Sequence, residues 1–383
     1  MKTLIKYLTI IILNLSLIYQ NALPSDKIKI GLIVPLSGEY SKIGNSIIKS
    51  VRLAINKIDD ERITIIPKDT KSNPIDALRV SKKLYDDGVR IVIGPVFNES
   101  TKYLDELKDV IFLSFTNKII KNPTNVISAG VNAISQINTI KKFISINNLE
   151  RSIFLIPRTD YKKEIELAIN KTNIKLKDKF VYDKDPMLLT KQIEKLTWYS
   201  LRKQNLKDEI KRFENSSIIN KEKKIETLKK KDSLGGINFD SVIIADFDES
   251  LKSVATSLLY TDVSSTRITY ITLNQWFDKS LLKETSLQPL YFPSINKENY
   301  SEFIDNYLNH YNSNPNQLSF LSYDLIGLIY YLLYENNFKV SKNIFYKKNK
   351  FKGKIGIFEI NKNIITHQLN FYNAENNKFR KIF

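Results

Sequence analysis

Apolar and polar residues follow two alternating patterns along most of this chain. Short apolar runs, which are typical of buried strands, are each followed by a stretch in which apolar residues recur every three or four positions. That recurrence is typical of a helix packed on a sheet. The runs predict strands at 29–34, 63–66, 89–93, 110–115, 153–156, 180–182, 241–245 and 268–273. A chain that alternates strand and helix in this way is expected to adopt an α/β fold with mostly parallel sheets.

Two of the predicted helices are defined most clearly. Between 45 and 58 the apolar residues share one helical face. Asn73 and Pro74 begin the second helix, as a cap followed by a proline in the first helical position, and Gly88 ends it. A chain of 383 residues is longer than one average domain, so two lobes of ordinary size are expected.

A charged segment at 190–236 interrupts this alternation. Residues 190–231 are rich in Lys, Glu, Arg and Leu and contain almost no Gly or Pro. They predict one long helix or a helical hairpin, with helices at 190–213 and 220–231 and a turn at 215–217. Such an insertion is either a solvated excursion or an arm that binds a partner, and the sequence leaves both open.

The first 24 residues resemble an export signal. Lys2 and Lys6 precede an apolar run at 8–19, and Ala22 lies near the end of the segment. This order is typical of a secretory signal peptide and predicts a periplasmic protein. Because Gln20 interrupts the usual small-residue pattern, an uncleaved signal anchor is the alternative. No later segment is long and apolar enough to span a membrane, which takes roughly 20 residues.

Composition excludes several kinds of site. There is no cysteine, so disulfides, thiolate metal sites, cysteine nucleophiles and a lipid anchor on an N-terminal cysteine are excluded. The two histidines, His310 and His367, lie far apart and have no metal-ligand spacing. No phosphate-binding loop or dinucleotide-binding glycine motif occurs either. We therefore expect no cofactor, no metal site and no enzymatic activity.

The charge balance is strongly basic. Lys and Arg number 59 against 41 Asp and Glu, which gives a net charge of +18. The excess is mostly lysine spread along the whole chain, whereas a nucleic-acid-binding protein concentrates basic residues on one element. The sequence therefore predicts no nucleic-acid partner.

Polar residues follow three of the predicted strands. Ser37 lies in the turn 35–40, Asn98, Glu99 and Ser100 lie in the turn 94–100, and Ser114 and Thr116 end the fourth strand. Ligands bind where the carboxyl ends of parallel strands converge, so these hydroxyls and amides are candidates for holding a carboxylate. The alternative is that the Ser and Thr residues only cap the following helices.

Four ordered motifs resemble the leucine/isoleucine/valine-binding proteins of amino-acid ABC transporters. They lie at 30–38 with Gly44, at 93–95, at 113–117 and at 322–324. The resemblance implies the type I periplasmic binding fold, in which two Rossmann-like lobes are joined by three hinge crossovers. It places those crossovers near Gly130, Asn274 and Asn336, and the lobes at 27–130 plus 275–335 and at 131–274 plus 336–383.

The same resemblance implies a ligand site in the cleft between the lobes. The candidates it carries over are Asn98, Glu99, Ser100, Ser114 and Thr116 from the first lobe and Tyr161 from the second. Asp246 is a further candidate. It lies in the turn 246–248, where members of the family usually have small residues that include a glycine. Phe97 and Lys162 also depart from the family pattern. The implied ligand is small and amino-acid-like, with an ABC permease as the partner.

A second resemblance involves the charged insertion. Residues 232–242, 270–276 and 351–358 are similar to segments of bacterial penicillin-binding-protein activators, which have the same fold. That resemblance implies a regulator that acts on a peptidoglycan synthase by protein contact. Amino-acid transport is thus the first hypothesis and regulation of wall synthesis is the alternative.

Overall fold

The computed structural model describes residues 27–383. The predicted signal peptide at 1–24 therefore lies outside the described residues. Within the described part of the chain, no helix combines the length and apolar character needed to cross a membrane.

Strands and helices alternate in the first part of the chain. The elements are β1 (Ile28–Val34), α1 (Ser41–Ile58), β2 (Ile63–Asp69), α2 (Pro74–Asp86), β3 (Ile91–Ile93), β4 (Ile111–Ser114) and β5 (Val126–Ser128). As predicted, Asn73 caps α2, since its side-chain Oδ1 accepts a hydrogen bond from the backbone N–H of Ile75 at 2.8 Å. Two short 3₁₀ helices, Asn98–Thr101 and Leu104–Glu106, take the place of a helix between β3 and β4.

The middle of the chain continues the alternation and contains the charged insertion. The elements are α3 (Ala133–Ile146), β6 (Ser152–Pro157), α4 (Lys162–Thr172), β7 (Asp178–Tyr182), α5 (Pro186–Leu196), α6 (Tyr199–Glu214), α7 (Lys221–Lys229), β8 (Ser241–Ile244), α8 (Asp248–Tyr260), β9 (Thr269–Thr272) and β10 (Leu290–Ser294). The predicted single helix at 190–213 is in fact two helices, because the backbone of Trp198 adopts the left-handed conformation, with φ 51°. Leu189 and Ile193 of α5 belong to the core of the lobe, so the hairpin starts only at Tyr199, and its first turns are still buried at Tyr199 and Arg202.

The last part of the chain contains two long helices and five short strands. The elements are α9 (Lys297–Tyr311), α10 (Gln317–Glu335), α11 (Asn343–Tyr346), β11 (Asn349–Lys352), β12 (Ile357–Asn361), β13 (Ile364–Gln368), β14 (Asn370–Glu375) and β15 (Lys378–Lys381). Ser46 of α1 and Ser319 of α10 are hydrogen-bonded through their hydroxyls at 2.7 Å, which allows these two helices to pack closely.

The strands form two sheets, each the centre of one lobe. The first sheet has the order β11-β12-β13-β5-β4-β3-β1-β2, and the second has the order β15-β14-β10-β9-β8-β6-β7. The strands from β1 to β5 and from β6 to β10 pair in parallel, and the antiparallel strands lie at one edge of each sheet. This is the α/β architecture of two parallel-sheet lobes that the sequence predicts.

The crossovers between the lobes differ from their expected positions. The chain leaves the first sheet after β5, next to Gly130, but it returns only after β10, where α9 buries Phe303 and Tyr307 in the first core. The last crossover joins β13 to β14, at 368–370. The placements near Asn274 and Asn336 are therefore wrong, because β10 pairs with β9 in the second sheet and β13 pairs with β5 in the first.

The sequence motifs at 322–324 and 351–358 are in contact inside the first lobe. The carboxylate of Asp324 accepts hydrogen bonds from the backbone N–H groups of Lys354 and Ile355, at 2.8 and 2.7 Å. A Cβ on Gly353 would overlap with the same carboxylate, so only glycine fits there. Burial of Asp324 raises the pKa of its carboxyl from 3.8 to about 6.

We expect Asp324 to make the free energy of unfolding decrease as the pH rises from about 4 to about 6. Because its pKa is higher in the folded state, the folded protein keeps a proton in this range that the unfolded chain has lost. The shift corresponds to about 3 kcal/mol, fully present below pH 4 and lost as the pH passes 6. Urea unfolding of the wild type and Asp324→Asn between pH 4 and 7 measures the difference, since asparagine does not titrate. Parallel pH profiles for the two proteins would contradict this assignment.

Candidate functional site

A cleft of about 440 Å³ opens at the carboxyl ends of β3 and β4. The turns at 96–99 and 115–118 line it, together with Gly130 and Val131 of the first crossover. Trp276, which follows β9 of the second lobe, and the first turns of α10 complete the lining. The cleft thus lies where ligands bind in open parallel sheets, and both lobes contribute to it.

The cleft combines an apolar wall with opposite charges. The apolar lining consists of Val96, Phe97, Phe115, Val131, Trp276, Leu318 and Leu321. The acidic Glu99 and the basic Lys118 line the same cleft, together with the amides of Asn98 and Asn117. An apolar pocket with a few convergent polar groups is the usual form of a small-molecule site.

The loop that carries Lys118 is held in place by neighbouring side chains. The carbonyl of Lys118 accepts hydrogen bonds from Asn122 Nδ2 at 2.7 Å and from Ser128 Oγ at 2.7 Å. Asn98 Nδ2 in turn donates to Asn122 Oδ1 at 2.8 Å. On the other side, an added Cβ at Gly130 would lie 2.6 Å from the carbonyl oxygen of Phe115. The position of the lysine is therefore set by the fold.

The second lobe contacts the same loop through a buried carboxylate. Glu164 of α4 is 4% exposed, and its Oε1 accepts hydrogen bonds from the backbone N–H groups of Ile119 and Ile120, at 3.0 and 2.9 Å. Ile119 also packs with Tyr161 against the core of the second lobe. The contact connects the lobes directly beside the residues that line the cleft, and we call it the Glu164 clasp.

Three of the eight predicted site residues line the cleft. They are Asn98, Glu99 and Thr116. The hydroxyl of Thr116 accepts a hydrogen bond from the backbone N–H of Lys118 at 3.1 Å, so it also orders the loop.

The remaining serine candidates lie outside the cleft. Ser37 donates to the carboxylate of Asp69 at 2.6 Å, and this turn residue is exposed. Ser114 is fully buried and donates to the carbonyl of Pro95 at 2.8 Å. Ser100 is 1% exposed, and its hydroxyl has no partner within residues 27–383. None of these three hydroxyls lines the cleft. Packing directs those of Ser100 and Ser114 into the fold, and that of Ser37 is bonded to Asp69 at the surface.

The two candidates from the second lobe are also outside the cleft. Tyr161 packs against the core of the second lobe, and burial, assisted by the charge of Glu164, raises the pKa of its phenol. Asp246 is 2% exposed and accepts hydrogen bonds from Tyr182 Oη at 2.7 Å and Lys184 Nζ at 2.8 Å. Asp246 is thus neutralised within its own lobe.

The most chemically distinctive cleft residues are absent from the predicted set. Lys118 follows Thr116 and Asn117 in a motif that the sequence draws attention to, and Phe97 and Phe115 flank predicted candidates. Trp276 comes from the other lobe, and its distance along the chain gives no signal for its position. Charge and aromatic character in the predicted turns would have identified the first three.

Potential metal ligands do not form a cluster in the described residues, and His367 has a structural role. Among residues 27–383 no cluster of three His, Cys, Asp or Glu side chains could hold a metal ion. His367 is buried at the last crossover, where a ring nitrogen is hydrogen-bonded to the carbonyl of Ala129 at 2.9 Å. Burial lowers the pKa of His367 to about 4, so the ring is neutral at physiological pH.

Comparison with known proteins identifies the fold. Residues 27–164 match a family model described as periplasmic binding protein. A branched-chain amino acid ABC transporter protein from Rhodospirillum rubrum superposes with a TM-score of 0.69 at 13% identity, covering 93% of this chain and 100% of that one. The isoleucine complex of the substrate-binding protein LivJ from Streptococcus pneumoniae gives 0.54 at 16% identity, covering 92% and 98%.

A regulator has the same fold. The C-domain of LpoA from Haemophilus influenzae, described as a regulator of PBP1A, superposes with a TM-score of 0.62 at 13% identity and covers 93% of this chain and 100% of that domain. The comparison with curated protein sequences finds no significant match. The chain therefore has the type I periplasmic binding fold, which is found in both solute-binding proteins and a regulator.

Proposed function

We propose that the protein is an exported, non-enzymatic binding protein that holds a small amino-acid-like ligand in the cleft for an ABC-type permease in the cell envelope. The observation that carries this proposal is that the acidic Glu99 and the basic Lys118 both line one cleft whose lining is otherwise largely apolar. An amino acid with an apolar side chain complements all three features.

The charges assign an orientation to the ligand. Its ammonium group pairs with Glu99 and its carboxylate with Lys118, because charge-assisted hydrogen bonds are the strong ones in such sites. The side chain then contacts Phe97, Phe115 and Trp276. Trp276 follows β9 of the second lobe and packs against the core of the first. A ligand that contacts it therefore lies at the junction of the lobes, where binding favours the arrangement in which they are together.

Lys118→Gln is expected to weaken ligand binding by about 10- to 100-fold, because a charge-assisted hydrogen bond to a carboxylate contributes about 1.5–3 kcal/mol. Isothermal titration calorimetry of the purified chain with leucine, isoleucine and phenylalanine measures this change. A thermal-shift panel of amino acids and short peptides first identifies the ligands that stabilise the folded state.

The matched control is Lys121→Gln, which removes the same charge from the same loop at an exposed position outside the cleft lining. Its affinity is expected to stay within about twofold of the wild type, since a distant exposed charge is screened by salt. The proposal is contradicted if no amino acid raises the melting temperature, or if both lysine variants weaken binding equally.

A second candidate function is regulation of a peptidoglycan synthase by protein contact. The hairpin formed by α6 and α7 favours it, because a ligand-delivery protein does not need a charged projection of this kind. The similarity to the LpoA domain is compatible with this function, but at 13% identity it indicates a shared fold and not a shared function. Its test is the glycan-polymerisation rate of a purified synthase with and without the protein. A change in rate without an amino-acid ligand supports regulation.

A further inference from the structure

The hairpin formed by α6 and α7 is fixed at one end only, and we call residues 199–229 the arm. At its base, Arg202 is buried and bonded to the loop after α8. Leu206 and Leu228 are the last buried apolar pair between the two helices. Glu214 ends α6 twelve residues beyond Arg202, which is about 18 Å at 1.5 Å per residue. The arm thus projects from the second lobe.

The free end of the arm carries exposed apolar side chains. Ile219 is 84% exposed and Ile218 is 46% exposed, in the turn between α6 and α7. Ile219 is the most exposed of the large hydrophobic residues in the described chain. The isoleucines stand on a convex turn, and we call residues 211–224 the tip. Ile218 and Ile219 form a small exposed apolar patch between polar residues, Ser216 and Ser217 on one side and Asn220 on the other.

Basic side chains surround these isoleucines. Lys211 and Arg212 precede the turn, and Lys221, Lys223 and Lys224 follow it. The guanidinium of Arg212 and the ammonium of Lys224 lie 5.1 and 5.3 Å from the ring centroid of Phe213, which holds them next to the apolar turn. Across residues 199–229 the arm has nine basic and five acidic residues, and the acidic residues of the tip are Glu214 and Glu222. The tip therefore presents an apolar point within a positively charged surface.

We propose that the tip docks on an anionic lipid surface, with Ile218 and Ile219 in the headgroup region and the lysines against lipid phosphates. A lipid interface accepts a convex apolar projection, and basic residues beside it are attracted to anionic headgroups. A protein partner would need a cavity that matches two protruding side chains together with acidic groups around it. The inference does not depend on the ligand proposed for the cleft.

The absence of cysteine makes the docking directly measurable. In the full chain, Ile219→Cys carries a polarity-sensitive fluorophore at the tip. The matched control is Ile75→Cys, because Ile75 is 68% exposed on α2 of the first lobe, away from the arm. Each labelled protein is mixed with vesicles of phosphatidylglycerol and phosphatidylcholine, and with vesicles of phosphatidylcholine alone.

The expected result is a blue shift of the label at position 219 on the anionic vesicles only, with no shift of the label at position 75. Raising the salt concentration is expected to reverse the shift, because the lysine contribution is screened. Replacing Lys221, Lys223 and Lys224 together with glutamate is expected to weaken the binding of the tip label to vesicles by at least about tenfold. Since none of these three lysines is buried, the changes are expected to leave the melting temperature nearly unchanged.

Two results would overturn the proposal. The first is equal shifts of both labels, which means that the whole basic protein adsorbs without orientation. The second is an unshifted label at position 219 on anionic vesicles at low salt. If an acidic protein then shifts the same label, the tip is a protein-binding surface.

Discussion

Arg202→Met is expected to lower the free energy of unfolding by about 2–4 kcal/mol, because each buried acceptor that it leaves without a donor costs about 1–3 kcal/mol. The side chain of Arg202 is 3% exposed. Its guanidinium donates to the carbonyl of Thr261 at 3.0 Å and to Ser233 Oγ at 2.7 Å, and it pairs with the carboxylate of Asp262 at 3.2 Å. Methionine fills a similar volume, so the loss comes from polar groups left without donors.

The neighbours of Arg202 determine which groups are affected most. Asp262 keeps a second cation, because Arg267 lies 2.8 Å from its other oxygen. The carbonyls of Thr261 and Gly235 lose a donor that the apolar side chain does not replace. Since Gly235 follows the arm and Thr261 follows α8, the variant is expected to loosen the base of the arm first.

Urea unfolding midpoints and hydrogen exchange of residues 199–235 measure both effects. The matched control is Arg212→Met on the same helix, where the arginine is exposed and pairs with Glu209 at 2.6 Å. A surface pair of this kind contributes about 0–1 kcal/mol. If the two variants lose equal stability, Arg202 does not anchor the arm.

The periodic elements were predictable because each depends on its own residues. The apolar runs at 29–34 and 241–245 become β1 and β8, and burial of both faces explains why these runs are continuous. The cap at Asn73 is equally local. In contrast, the break at Trp198 follows from docking of α5 on the second lobe, where Leu189 and Ile193 are buried. A charged, helix-forming sequence carries no sign of that docking.

The crossovers and the site depend on contacts distant in sequence. β13 joins the first sheet through pairing of Ile364 with Ser128, a partner 236 positions away. Ser114 follows a correctly predicted strand, yet its hydroxyl is directed to the carbonyl of Pro95. Sequence reasoning can thus place a residue at the end of a strand, whereas the direction of its side chain depends on neighbouring strands.

The Glu164 clasp is the contact most able to connect the cleft with lobe movement. One carboxylate oxygen on α4 accepts both backbone N–H groups that follow Lys118 in the loop. Separation of the lobes breaks both bonds and removes Ile119 from its contact with the second core. The position of Lys118 and the closeness of the lobes are therefore linked through three consecutive residues.

Glu164→Ala is expected to shift the protein toward separated lobes and to weaken ligand binding by about 5- to 150-fold. The removal leaves two N–H groups without their acceptor, which costs about 1–3 kcal/mol when they stay buried. Separation of the lobes exposes those groups to water, so the cost favours the open state. A ligand that binds between the lobes loses affinity in proportion to the competent fraction.

Calorimetry with the ligand from the thermal-shift panel, together with small-angle scattering of the free protein, measures both consequences of the change. Glu164→Gln is the matched control, because it removes the charge and keeps an acceptor oxygen in the same place. We expect the glutamine variant to retain most of the affinity and the radius of gyration of the wild type. Equal losses in both variants would assign the effect to the charge of Glu164 and would contradict a clasp built on its two hydrogen bonds.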